Sequence, residues 1–392
     1  MTAISVKTPP RGFPATEFEQ RAARAQRAMR EHGLDALLVT APQQVRYFTG
    51  FDTQFWESPT RPWYVVVPAA GAPVAVIPEI GEPGMRATWV TDVRTWPAPN
   101  PGDDGVSLLA GTLRELAGTG GTVGAELGPE LQLRMPAGQL PEIASRAGVT
   151  ITDGSAVIRY CRHVKSDLEI DKIRFVCQLA SDAYARVPEL IRAGDTERSV
   201  VQRMRADLIA RGADTSPYLI GVSGPGGYDN IIMGPTDRAL DTGDVLIIDT
   251  GTVFDGYFCD FDRNWAIGTA DDAVRRAYEA VWRATEVGIA AARPGVRVCD
   301  LWKVMADELA AAGSAGNNVG RLGHGLGLQL TEPPSNHPDD ETVLEAGTVL
   351  AIEPGMEFAP GRMMVHEENI VIREDGAELL TTRAAPELLV VS

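Results

Sequence analysis

Five side chains of this 392-residue chain have the types and placement to hold metal: Asp249, Asp260, His324, Glu353 and Glu367. Asp249 ends the apolar run 245–248, Glu353 ends the run 349–352, and Glu367 precedes the run 370–372. Short apolar runs of this kind read as buried strands. A carboxylate buried there without compensation is strongly unfavourable, so several of them on paired strands need a counter-charge, which a divalent cation supplies most directly. A lone histidine is more often a packed residue than a ligand. His324, however, stands among Gly323, Gly325 and Gly327, which let the backbone come close to a bound group. Four carboxylates and one imidazole are the donor set of two adjacent divalent ions, bridged by shared oxygens about 3.5–4 Å apart. A solvated acidic hairpin accounts poorly for acids that adjoin apolar runs.

The elements that must position these acids repeat within the chain. Residues 243–251 (GDVLIIDTG) overlay 347–355 (GTVLAIEPG), acid on acid and glycine on glycine. Upstream, 194–212 aligns without a gap to 295–313, with Met204 on Met305 and Leu208 on Leu309, and both stretches read as amphipathic helices closed by glycine. Two halves of helix and acid-bearing strand predict a pseudo-twofold domain with its site on the axis. After the first acid strand, the Asp255-Gly256 turn leads into a second strand-like piece carrying Asp260 and Asp262.

A disordered lead is expected to about residue 14, then a helix over 16–32, a strand over 36–39, a short ordered piece over 45–50 and a hairpin of 63–67 with 74–77. A helix over 108–116 and strands over 122–125 and 149–152 complete an α/β domain. The chain crosses between domains within 159–165, giving domains of 1–160 and 161–392. In the second, helices over 167–192, 196–211, 271–292 and 298–312 are segregated from strands near 245–267, 347–353 and 368–373, which predicts an α+β class.

With 36 basic against 53 acidic residues the net charge is −17, which argues against nucleic acid and anionic membranes as partners. Cys161, Cys177, Cys259 and Cys299 lack a paired spacing and read as buried thiols. The first residues show no apolar core of signal-peptide length and no run spans a bilayer, so a cytoplasmic protein is expected.

With these residues in place, the chain resembles, along essentially its whole length, the creatinase, aminopeptidase P, prolidase and methionine aminopeptidase superfamily. The resemblance implies a pita-bread fold for the C-terminal domain, a creatinase-like N-terminal domain, and two divalent ions: manganese, iron, cobalt or zinc, with the oxygen-rich shell favouring the harder ones. It implies Asp249 as terminal chelator, Asp260 and Glu367 as bridges, and His324 and Glu353 as ligands of the second ion. A hydroxide between the ions is the implied nucleophile, with Glu353 as base.

The departures from the family are as informative. Its peptidases place a catalytic histidine eleven residues before the glycine that opens the first acid strand, and here that position is Ile232. A second histidine is replaced by Thr331, before Glu332, and a threonine by Asp262. Replacement acid/base groups are then expected from Asp262, Tyr228, Asp229 and His366, the plainer alternatives being that Asp262 pairs with Arg263 or Arg321 and that Tyr228 only packs. Residues 58–64 (SPTRPWY) resemble the creatinase segment whose arginine reaches a neighbouring subunit's substrate carboxylate, which implies a homodimer and a substrate-binding role for Arg61. Trp56 beside it floors the pocket or packs the domain. The expected function is hydrolysis, by two metal ions, of a C–N or related bond in a small carboxylate-bearing molecule, with weak Xaa-Pro peptidase activity. The alternatives are a metal-dependent lyase of the dimethylsulfoniopropionate-lyase type, a genuine Xaa-Pro dipeptidase or aminopeptidase, and a non-catalytic binding module, for which five intact ligands have no use.

Overall fold

In the computed structural model, which describes residues 7–58, 61–192, 194–316 and 320–391, the chain passes from one unit, Pro10–Arg162, to a second that begins at His163. The first unit runs α1 (Ala15–Glu31), β1 (Ala36–Val39), α2 (Pro42–Thr49), β2 (Tyr64–Pro68), β3 (Val74–Pro78), α3 (Glu82–Arg86), β4 (Asp92–Trp96), α4 (Val106–Ala117), β5 (Thr122–Ala125), α5 (Leu140–Ala147) and β6 (Thr150–Asp153). The expected ordered piece at 45–50 is the helix α2, started by Pro42 in its first turn and stopped by Gly50 at φ 76°. The sheet has the order β4-β3-β2-β1-β5-β6, with β2 and β3 forming the expected antiparallel hairpin. Leu38, Val66, Val76, Leu109 and Leu113 are among the side chains of its core.

After α6 (Ser155–His163), the second unit opens with α7 (Asp167–Ala185), whose start is fixed by a reciprocal Ser166 and Glu169 cap. The single helix expected over 167–192 is interrupted: α7 ends at Ala185 and a short α8 (Val187–Leu190) follows with Pro188 in its first turn. Proline has no N–H to continue the ladder and clashes with the preceding turn. There follow α9 (Glu197–Ala210), β7 (Thr215–Pro225), β8 (Asp244–Phe254), β9 (Tyr257–Phe258), β10 (Phe261–Ile267), α10 (Asp272–Ala291) and α11 (Val298–Ala311). The second half adds β11 (Gly323–Gly325), β12 (Glu332–Ser335), β13 (Val349–Ile352), β14 (Gly355–Ala359), β15 (Arg362–Val365), β16 (Glu368–Arg373), β17 (Gly376–Leu379) and β18 (Leu389–Val391).

One sheet has the order β18-β10-β8-β7, with β9 on β8; another runs β12-β11-β13-β16-β17. In each half a helix, α9 or α11, precedes an antiparallel ladder, β8 with β10 or β13 with β16. Asp260 stands directly before β10 as Glu367 stands directly before β16. Ile247, Val281, Leu301, Met305, Ile352 and Ile370 share one core, so both ladders are braced against α10 and α11. Gly288 lets those helices touch, since a Cβ there would lie 2.6 Å from the Met305 sulfur.

Candidate metal centre

Strand alternation sets one wall of the site. Asp249 pairs with Ile220 of β7 on one side and with Asp262 of β10 on the other, so Asp249, Asp262 and, two positions along β7, Tyr218 face the same way. Asp260, His324 and Glu367 are buried and each offers a ligand atom within 4.8 Å of the others. His324 Nε2 lies 3.3 Å from Asp260 Oδ2 and 3.6 Å from Glu353 Oε1. Its Nδ1 lies 2.9 Å from the Gly325 carbonyl, which fixes the proton on Nδ1 and leaves the Nε2 lone pair toward the acids. Gly323 makes this approach possible, because a Cβ there would sit 2.3 Å from the Ala351 carbonyl of β13. Asp260 is held through its backbone: its N–H donates to Asn369 Oδ1 at 2.8 Å, and Asn369 Nδ2 donates back to its carbonyl.

Asp249 Oδ1, Glu353 Oε1 and Glu367 Oε1 are closed to solvent and make no hydrogen bond. Such orphaned oxygens are rare and need an explanation. Burial, and after it the neighbouring carboxylates, raise the Asp249 and Glu367 pKa values well above the ordinary range. Burial likewise raises Asp260 strongly and Glu353 to a lesser degree, with His324 opposing the shift at Glu353. Crowded acids with unused lone pairs, facing an imidazole lone pair, are the donor set of hard or borderline divalent ions, and these residues fit such ions.

A second ring surrounds the first. Asp262 Oδ1 accepts from Asn264 Nδ2 at 3.3 Å and lies 3.7 Å from His366 Nδ1, while its Oδ2 makes no hydrogen bond. Burial raises the Asp262 pKa, and His366 opposes that shift. Arg383 Nη1 lies 2.6 Å from His366 Nε2. The same Nε2 lies 3.3 Å from Glu368 Oε1, so His366 stands between Asp262 and the Glu368–Arg383 pair. Glu368, clamped at 3.0 Å by Arg263 and 3.1 Å by Arg383, stays ionised well below the carboxylate range despite its burial, chiefly because of Arg263. The alternative pairings of Asp262 are not made by its carboxylate: Arg263 donates to its backbone carbonyl, and Arg321 lies 3.6 Å from Glu353 instead.

Two expected acid/base groups are corrected. Tyr228 is 1% exposed, and its hydroxyl donates to Asn264 Oδ1 at 3.0 Å and accepts from Val365 N–H at 2.8 Å. It therefore packs, reaching Asp262 only through Asn264. Asp229 is exposed, accepts from the Asn230 amide, and lines a cavity of about 420 Å³ with Ser223, Arg238 and Arg362. None of the five cluster residues borders that cavity. Trp56 belongs to the N-terminal unit and packs between Phe51 and Trp63, with Arg134 over its ring. Arg61 belongs to the same unit, and Pro59 and Thr60 of its proline-bounded segment lie outside the described residues.

The structure adds Tyr218 and Arg321. The Tyr218 hydroxyl donates to the Ile231 carbonyl at 3.2 Å, and Asp249 is its nearest charged neighbour. Burial and then Asp249 hold the phenol far above its ordinary pKa. Tyr218 escaped the sequence reading because β7 itself did.

Residues 171–374 match Metallopeptidase family M24, and residues 21–164 match the Creatinase/Prolidase N-terminal domain. The chain belongs to metallopeptidase family M24. It is an M24 hydrolase of the creatinase, aminopeptidase P and prolidase superfamily, with the pita-bread C-terminal fold, and the family uses divalent metals. It is 33% identical over 387 residues to a probable dipeptidase PepE of Mycobacterium bovis, covering 97% of this chain and 98% of that one. The crystal structure of dipeptidase PepE from Mycobacterium ulcerans superposes with a TM-score of 0.85 at 31% identity, covering 97% of this chain and 99% of the other. A Xaa-Pro dipeptidase of Pyrococcus furiosus is 30% identical over 226 residues, 58% of this chain and 65% of its own. These M24 relatives carry the names of peptidases, and the expected non-peptide substrate finds no support among them. No helix among the described residues is long and apolar enough to cross a membrane.

Proposed function

We propose that this M24 protein hydrolyses short peptides, dipeptides above all, using two divalent ions held by Asp249, Asp260, His324, Glu353 and Glu367. The observation that carries the reading is the convergence of orphaned carboxylate oxygens on Asp260 and the Nε2 lone pair of His324. Asp249 would chelate one ion, His324 and Glu353 the other, and Asp260 and Glu367 both, with manganese suited to so oxygen-rich a shell. Such ions supply an ionised water at neutral pH and polarise a peptide carbonyl. The chain's own groups supply the proton handling. Glu353, with Oε1 free of hydrogen bonds, accepts a proton there. Asp262, whose burial favours the protonated form, delivers one to the leaving nitrogen, and the Asn264 amide, which donates to its Oδ1, orients it. Tyr218 presents its hydroxyl from the β7 side.

Reconstitution with manganese followed by a dipeptide panel that includes Xaa-Pro members tests this. Cleavage that disappears with chelator and returns with metal supports it; a fully metal-loaded protein that cleaves no dipeptide overturns it. We also propose a homodimer, on the resemblance of the Arg61 segment alone, and a monomeric mass by light scattering would refute that.

A further inference from the structure

We infer that Arg321 receives the free C-terminal carboxylate of the dipeptide and thereby fixes which way the substrate lies across the metal centre. The inference rests on the peptidase reading above. Arg321 lies three residues before His324, and the Glu353 N–H donates to the carbonyl of its neighbour Leu322, which keeps it beside Glu353. Its guanidinium makes two loose contacts: Nε to Glu353 Oε1 at 3.6 Å and Nη2 to Thr331 Oγ1 at 3.4 Å. Charge-assisted hydrogen bonds are ordinarily about 2.7–2.9 Å. The two other guanidiniums around the acids are committed, since Arg263 and Arg383 clamp Glu368 at 3.0 and 3.1 Å. Arg321 thus keeps most of its five donors, and its side chain is 27% exposed, against 10% for Arg263 and 17% for Arg383.

A planar fork with donors to spare at the rim of a metal cluster matches a two-oxygen anion. Thr331 offers a hydroxyl beside it, and its neighbour Glu332 is pinned by the Gln329 N–H at 3.0 Å and by Lys165 at 3.4 Å. On the Tyr218 side the neighbouring charged group is the Asp249 carboxylate, which faces the same way and disfavours a second anion there. The anionic end of a substrate therefore belongs at Arg321. Because Arg321 lies within 3.6 Å of Glu353, the carboxylate must sit close to the bond being broken. One residue spans at most about 3.3–3.6 Å, so a single residue separates the two, as in a dipeptide.

The test compares a dipeptide with its C-terminal amide on the manganese-loaded enzyme. The acid form is expected to be preferred by about tenfold to a hundredfold in kcat/KM. Arg321→Gln should erase that preference by raising KM for the acid form alone, Arg321→Lys should restore part of it, and metal content by elemental analysis should match the wild type in both. Equal cleavage of acid and amide by the wild type overturns this inference and leaves the peptidase reading standing. A variant that loses both activities equally, or loses metal, also overturns it, because Arg321 would then be only a counter-charge to the cluster. Failure of the wild type to cleave any peptide overturns both readings. If neither variant folds, the wild-type comparison of acid with amide decides alone.

Discussion

Asp262 stands directly opposite Asp249 across the β8 and β10 ladder, side chains on one face, so the two buried carboxylates share one wall of the site. Two carboxylates so placed do not ionise together readily. In the proposed centre a metal ion would neutralise Asp249, while Asp262 has His366 at 3.7 Å and Asn264 at 3.3 Å beside its carboxylate. With the metal in place, Asp262 is therefore the group expected to keep a proton.

Asp262→Asn preserves shape and removes that proton. It is expected to lower kcat on a dipeptide by about a hundredfold or more, with KM changed little. Metal content measured alongside separates the roles: if Asp262→Asn loses metal in proportion to activity, Asp262 is a ligand and not an acid.

Asp260 and its Asn369 clamp should separate by magnitude. Asp260→Asn removes the charge that would serve both ions in the proposed centre and is expected to weaken metal binding by more than about a hundredfold. Asn369→Ala leaves the carboxylate but frees its backbone, and a loss of about 10–100-fold is expected. Calorimetric titration with manganese reads both, and an unaffected Asn369→Ala would show that the clamp does not orient the ligand.

The raised carboxyls also set a pH dependence. Asp249, Asp260, Glu353 and Glu367 have folded pKa values above their unfolded values of about 3.8 and 4.5, so the metal-free folded chain binds more protons than the unfolded one. Stability then falls as pH rises through that window. Melting measured in chelator should drop as pH rises above the unfolded carboxyl values, and manganese should stabilise more the higher the pH. Glu126, in the N-terminal unit, is pushed up to about 7 by burial and adds a loss in the same direction that metal leaves untouched. A metal-free melting temperature that rises with pH would contradict these shifts.

The cluster was legible in sequence because acids end apolar runs, and the duplication because helix and strand patterns recur together. β7 was not. Its sequence contains Pro217, Gly221 and Gly224, residues that count against a strand, yet it lies at a sheet edge with an irregularity between Thr215 and Tyr218, where proline is tolerated. Tyr228 misled for the opposite reason: its loop position suggested an open site, but its hydroxyl partners, Asn264 and Val365, come from distant strands. Pairings such as Arg321 with Glu353 arise only once β11 and β13 are side by side.

Tyr218 gives the sharpest contrast between a structural and a chemical role. Its phenol is half-buried, donates to the Ile231 carbonyl and faces the same way as Asp249. Tyr218→Phe keeps the ring's packing and deletes only the hydroxyl. If the hydroxyl merely braces the 226–235 loop, the variant should melt lower while turnover per metal-loaded molecule stays as before. If it positions the substrate against Asp249, kcat/KM on a dipeptide should fall by about tenfold to a hundredfold, the cost of one hydrogen bond to a charged or developing-charge group. Asp249 Oδ1, which makes no hydrogen bond, would stay available to metal in either case, so manganese affinity should change far less than activity. We expect the second result, and a loss of stability with unchanged kcat/KM would remove Tyr218 from the site.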